Sequence, residues 1–121
     1  MELDLDALAS HQTIQITTTG RRTGKARRVE IWWFHVDGRF IITGTPGRRD
    51  WLANLYADPN LTIHVRGRDI AATATPVRDA AFRRKVFTRP QTMWYSSQSE
   101  LDHLVAAAPM VEIHFVESEL P

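Results

Sequence analysis

The chain contains no cysteine. That excludes a disulfide framework, a thiolate nucleophile and every zinc site built on sulfur. Long apolar runs are missing too, and none approaches the roughly 20 residues that cross a bilayer as a helix. The opening MELDLDALAS lacks the basic start and apolar stretch of a secretory signal, so a cytoplasmic protein is expected. Hydrolytic signatures are absent. There is no GxSxG elbow, and Ser96, Ser97 and Ser99 read as loop and helix cap rather than as nucleophiles. The carboxylates scatter instead of pairing. The histidines (His11, His35, His64, His103 and His114) have no ligand-like spacing, so no metal is expected. A net charge of only +1, with no helix-turn-helix, zinc or RNP pattern, argues against nucleic acid as a partner. Lysine is scarce, and the 15 basic residues are mostly arginine. Arginine suits bidentate binding of carboxylate and phosphate, although a GC-rich genome produces the same bias and accounts for much of it.

What is present is an ordinary globular composition, 43% hydrophobic and 24% charged over 121 residues. One domain spanning 1–121, with residues 1–11 as an N-terminal extension, is the expectation. The positive charge is concentrated in Thr17 to Arg28, TTTGRRTGKARR, where Arg21, Arg22, Lys25, Arg27 and Arg28 surround Gly20 and Gly24. Glycines let backbone N–H groups turn toward a ligand while the side chains supply charge. On charge alone an anion site and a solvated hairpin tip both stand open.

Residues 12–18 alternate with Ile14 and Ile16 on one face and read as a strand. A second strand, Val29–Val36, is apolar on both faces, with Val29, Ile31 and Trp33 opposite Trp32, Phe34 and Val36. It therefore needs cover on both sides, from a core and from a helix, a ligand or a second subunit. Asp37-Gly38 signals a hairpin into a third strand, Arg39–Thr43. After the loop Gly44–Arg49, Asp50 is read as the N-cap of a short helix Trp51–Ala57, stopped by Asp58-Pro59. Leu61–Arg66 pairs across Gly67 with Asp69–Pro76. Helices are expected at Arg78–Thr88 and Ser99–Ala107, the latter opened by Ser99 and Asp102 as a capping box, before a closing strand Met110–Val116. Six short, mostly antiparallel strands suit a small closed barrel, and periodicity alone leaves an open α+β sheet in contention.

A second basic pair, Arg48-Arg49, stands just before the short helix, where helix N-termini attract anions. Trp51, Asn54 and Leu55 share one face of that helix. Trp51 and Leu55 read as core anchors. A buried Asn54 amide would want a partner, in a ligand or in the backbone.

These segments in this order, TTTGRRTGKARR, EIWWFHVDGRFIITGT, GRRDWLANLYADP and LTIHVRG, resemble the deazaflavin-dependent nitroreductase family over about residues 12–116. The resemblance implies a split antiparallel β-barrel, mainly β and FMN-binding split-barrel-like, with one helix after the third strand and two before the last. It implies coenzyme F-420, whose tail carries a phosphodiester and carboxylates. Arg21, Arg22, Thr23, Gly24, Lys25 and Arg28 would hold that tail, with Arg48 and Arg49 as the second basic group. The backbone of Thr43, Gly44 and Thr45 would run along the ring, and Trp51 and Asn54 would pack and brace the pocket. Tyr95, or Trp94 beside it, falls where members place substrate-facing aromatics, and Tyr95 is the candidate catalytic residue. The loop before Asp50 is shorter than in nitroreductase-type members and has Pro46 and Arg48 where they have lysine, so a nitro substrate is not the expectation. The activity implied is hydride transfer between reduced coenzyme and an electron-poor small molecule, in a homodimer. A non-catalytic deazaflavin binder and an FMN-dependent oxidoreductase are the alternatives.

Overall fold

The computed structural model describes residues 13–116. The expected extension at 1–11 lies outside the described residues. Six strands form in order: β1 (Thr13–Thr19), β2 (Ala26–Val36), β3 (Arg39–Thr43), β4 (Asn60–Val65), β5 (Arg68–Pro76) and β6 (Met110–Phe115). Every pairing is antiparallel, and the order β1-β2-β3-β6-β5-β4 closes on itself. Closure removes the exposed edges that an open sheet would leave, and it decides between the barrel and the open sheet.

Alternation places one face of each strand inside. Ile14 and Ile16, Ile31 and Trp33, Phe40 and Ile42, Leu61 and Ile63, Ile70 and Ala72, Val111 and Ile113 fill the barrel. Two tight turns set the register. Asp37 and Gly38 have φ of 51° and 77°, and Arg66 and Gly67 have 53° and 72°. Both pairs have the positive φ values of a type I′ turn, whose twist matches the flanking strands.

The helices lie in the connections. α1 (Asp50–Ala57) links β3 to β4. Between β5 and β6 come α2 (Ala80–Phe87), a 3-10 turn (Pro90–Thr92), α3 (Met93–Gln98) and α4 (Leu101–Ala107). The sequence reading placed two helices there, and α3 is the addition. Thr92 explains it: the buried hydroxyl donates to the carbonyls of Val86 at 2.6 Å and Arg89 at 3.0 Å, folding the end of α2 directly into a new helix. Ser99 ends α3 instead of opening the next helix, and the N-cap of α4 is Glu100 with no side-chain cap bond. α2 starts at Ala80, two residues later than expected, because Asp79 caps it by accepting from the Ala81 N–H at 3.0 Å.

This helical layer covers the far half of β2. Phe34 and Val36 pack with Phe82, Val86, Phe87, Tyr95 and Leu104 in a second apolar cluster. The cover expected for the outer face of β2 is therefore supplied there by the chain's own helices. Arg83 fixes the layer in place. Its buried guanidinium donates to the carbonyls of Val105 at 2.6 Å and Val77 at 2.8 Å, and to that of Ala108. Burial pulls its pKa below the usual arginine value, with partial compensation from Tyr56. At the hairpin tip, Lys85 and Arg89 each contact the Asp37 carboxylate at 2.8 Å. The Lys85 hydrogen bond leads in holding that carboxyl below its ordinary 3.8, so the contact is intact at neutral pH and fades as pH falls through the acid range.

Candidate functional site

The basic turn between β1 and β2 is closed by its own backbone. Gly20 N–H donates to the Lys25 carbonyl at 2.8 Å, and Gly24 N–H to the Gly20 carbonyl at 2.8 Å. Gly24 takes φ of 71°, a left-handed conformation that favours glycine. A Cβ at Gly20 would stand 3.0 Å from the Thr23 hydroxyl and 3.2 Å from the Lys25 carbonyl, so the turn closes this tightly only around glycine.

Asn54 locks this turn to α1. Its Oδ1 accepts from the Arg21 backbone N–H at 3.1 Å and from the Arg21 guanidinium at 2.9 Å. Its Nδ2 donates to the Thr18 hydroxyl at 3.2 Å. The amide is 3% exposed, so these bonds answer the question that a buried asparagine poses. Arg21 also meets Asp50 at 3.3 Å. Asp50 was expected as the N-cap. Arg49 holds that position, with an extended backbone and no side-chain cap bond, and Asp50 is the first helical residue. There its carboxylate is exposed to the turn and answers Arg21.

Beside the turn is a cleft of about 680 Å³ lined by Arg21, Arg22, Thr23, Arg27, Asp50 and Asn54, with Trp51 and Val29 at one end. Among the described residues the Arg22 and Arg27 side chains make no hydrogen bond or ion pair. Arg27 is the residue that sequence reasoning passed over in favour of Arg28. Strand parity carried the signal: Arg27 shares a face with Val29, Ile31 and Trp33, whereas Arg28 points to the other face and donates to Gln15. Gly24, Lys25, Arg28 and Arg48 line neither this cleft nor the next.

The second cleft, about 640 Å³, shares Val29 and Trp51 with the first. Its walls are Glu30, Ile31 and Trp32 of β2, the segment Thr43, Gly44 and Thr45, and Arg49, Trp94 and Tyr95. Thr43 is held by donating to the Pro109 carbonyl at 2.5 Å. The Arg49 guanidinium donates to the Thr45 carbonyl at 2.8 Å and to its hydroxyl at 2.9 Å, so it shapes the loop instead of joining Arg48 in a clamp. Tyr95 is buried and makes edge contacts with Phe34, Phe87 and Trp94. Its ring centroid lies 5.9 Å from those of both phenylalanines. Burial raises its pKa above the ordinary 10.0, with Arg49 opposing in part, so its hydroxyl keeps its proton across the neutral range. Trp32 and Trp94, by contrast, are 46% and 56% exposed at the cleft mouth.

One constellation outside the clefts has the form of a proton relay. His64 places Nε2 2.6 Å from the Thr17 hydroxyl and Nδ1 2.7 Å from Asp69. It lies across β1, β4 and β5 and lines neither cleft, so it reads as cross-strand bracing.

A six-stranded closed barrel carrying a basic channel that opens into an aromatic slot defines a split-barrel oxidoreductase of the flavin and deazaflavin kind. The chain belongs to the F-420H(2)-dependent quinone reductase family, whose model matches residues 6–114. The family resemblance read from the sequence is thus borne out, and membership makes this an oxidoreductase with coenzyme F-420 as its cofactor. Solved structures agree on the fold. An F-420-H2 dependent reductase superposes with a TM-score of 0.61 at 18% identity, covering 86% of this chain and 95% of that one. An FAD-binding protein from Mesorhizobium loti gives 0.65 at 14%, covering 93% and 86%. The haem storage protein HutZ from Vibrio cholerae gives 0.65 at 14%, covering 96% and 92%.

Proposed function

We propose that this enzyme transfers a hydride between reduced coenzyme F-420 and an electron-poor small molecule, with quinones as the acceptor class the family description points to. The observation that carries this reading is the pair of contiguous clefts meeting at Val29 and Trp51, one cationic and one aromatic. When bound, the deazaflavin supplies the hydride chemistry, and the protein supplies orientation, dryness and protons. The donor set fits such a ligand. Arg22 and Arg27, unpaired among the described residues, offer their guanidinium groups to an anionic tail, Thr23 adds a hydroxyl, and Arg21 is held between Asn54 and Asp50 as the fixed wall of the channel. The second cleft falls within the about 300–1,000 Å³ of small-ligand sites, and its apolar walls suit a flat tricycle. Thr43, Gly44 and Thr45 run along one side of it. Tyr95, which lines this cleft and is still protonated at neutral pH, serves in this reading as the proton donor to the acceptor.

A channel lined by three arginines suits the multiply anionic tail of the deazaflavin better than the single phosphate of flavin mononucleotide. A homodimer also belongs to this reading, supported by a structure described as a domain-swapped dimer that superposes with a TM-score of 0.61 at 18% identity, covering 86% of this chain and 81% of that one. A cytoplasmic location goes with it. Among the described residues no helix is long and apolar enough to cross a membrane.

The direct test is to titrate the protein with F-420 by fluorescence quenching, then follow oxidation of the reduced coenzyme by 1,4-naphthoquinone. Saturable micromolar binding with turnover is expected. Binding without turnover across a panel of quinones and other electrophiles would leave a coenzyme carrier, and no binding would end the proposal.

A further inference from the structure

We propose that Glu30 makes the aromatic cleft select acceptors by charge, favouring those with a cationic substituent over anionic ones. This rests on the acceptor reading above and adds a specificity-determining residue to it. Glu30 is the only carboxylate among the described residues lining the aromatic cleft. Its neighbours are already engaged: Arg28, two residues back on the same face, donates to Gln15, and Arg49 is tied to Thr45. Among the described residues Glu30 takes part in no ion pair or hydrogen bond. Its charge is therefore not spent within the fold.

The placement is informative because the rest of the site binds an anion. A carboxylate adjoining a channel with three arginines weakens the hold on an anionic coenzyme, so its value at this position lies with the other ligand. Two further residues agree with it. The Trp32 and Trp94 rings are half exposed on the same cleft, and the indole face is the best side-chain partner for a cation. Exposed indoles and an uncommitted carboxylate on one mouth form a site where a delocalised or quaternary cation is drawn from both sides. An arylsulfonate or arylcarboxylate is repelled by Glu30 there, and the Arg49 guanidinium on the same cleft, bonded to the neutral Thr45 oxygens, opposes that repulsion.

The probes are N-methylquinolinium and naphthalene-2-sulfonate, flat rings of similar size and opposite charge, titrated at low salt into the F-420-loaded protein with tryptophan fluorescence as the readout. The cation binds more tightly than the anion, and Glu30→Gln shrinks the ratio of their affinities on the order of tenfold. Glu30→Lys reverses the preference. Arg28→Gln, a charge change on the same strand outside the cleft, shifts the ratio less than twofold. In turnover, kcat/KM for 1,4-naphthoquinone bearing a trimethylammoniomethyl group, relative to the 2-sulfonate, falls in Glu30→Gln by a similar factor, which cancels the intrinsic reactivity of each quinone. A binding ratio unmoved by Glu30→Gln, or moved equally by Arg28→Gln, overturns charge selection whichever quinones are reduced. A binding ratio that responds as expected while no quinone is reduced leaves charge selection standing and refutes the acceptor reading instead.

Discussion

The two clefts meet at the same two residues and are built on opposite physical terms. The channel beside the β1–β2 turn is a polar construction, with backbone hydrogen bonds closing the turn, Asn54 bolting it to α1, and two guanidinium groups left unpaired. The aromatic cleft is a packing construction, with Tyr95 wedged among Phe34, Phe87 and Trp94 and few polar groups facing inward. Charge in water reaches far and is weakened by salt, whereas apolar contact is short-ranged and indifferent to it. The channel is thus suited to capture the coenzyme by its tail, and the cleft to fix its ring against an acceptor.

The largest effect should come from removing the channel's free cations. Arg22→Ala with Arg27→Ala should raise the F-420 dissociation constant about 30- to 1,000-fold, at roughly 1–2 kcal/mol for each partly solvated charge-assisted contact. Raising salt should weaken wild-type binding in the same direction, while a deazaflavin lacking the anionic tail should bind weakly and almost independently of salt. Isothermal titration with both ligands in both proteins checks the division, and equal salt dependence for the two ligands would erase the contrast between the clefts.

Next comes the bolt. Asn54→Ala removes the acceptor for the Arg21 N–H and the partner of the buried Thr18 hydroxyl, and should cost about 1–3 kcal/mol of stability. Denaturant unfolding reads the loss, and coenzyme affinity should fall with it because the turn is no longer held against α1. Tyr95→Phe tests the cleft alone. It should leave coenzyme binding within about twofold and cut turnover about 100-fold or more, the range for loss of a general acid. Folding raises the Tyr95 pKa above 10.0, so its stabilising share is complete below that pH and is lost as pH rises beyond it. The wild-type rate should accordingly show no loss from tyrosine ionisation up to about pH 10, as a pH–rate profile would report. The smallest effect belongs to Arg28→Ala. Because this residue lines neither cleft, binding should change less than twofold, and a large loss would mean that the channel extends across the strand.

Much of this was legible in the residues. The hairpin at Asp37-Gly38 follows from local chemistry, since few sequences accept two successive positive φ values, whereas Arg66, read as the end of a strand, joins Gly67 in the second turn. The basic turn and the Trp51–Asn54 face were readable for the same reason, as short-range patterns with one physical cause each. Other features depended on partners far along the chain. α3 follows the 3-10 turn opened by Pro90, and the Thr92 hydroxyl ties that turn back to the end of α2. Arg28 was named for the tail and Arg27 was not, whereas Arg27 is the one that lines the channel.

By itself the sequence determined the six strands, the Asp37-Gly38 turn, the concentration of charge and the family, because each resides in neighbouring residues whose preferences act within a few bonds. The tertiary structure alone decided that Asn54 serves the turn, that Arg49 shapes a loop, that α2 covers half of β2, and that Glu30 faces an aromatic cleft. Those outcomes depend on which segments a closed barrel brings within a few ångströms. That is a property of strand order and register, and no local stretch of the chain carries it.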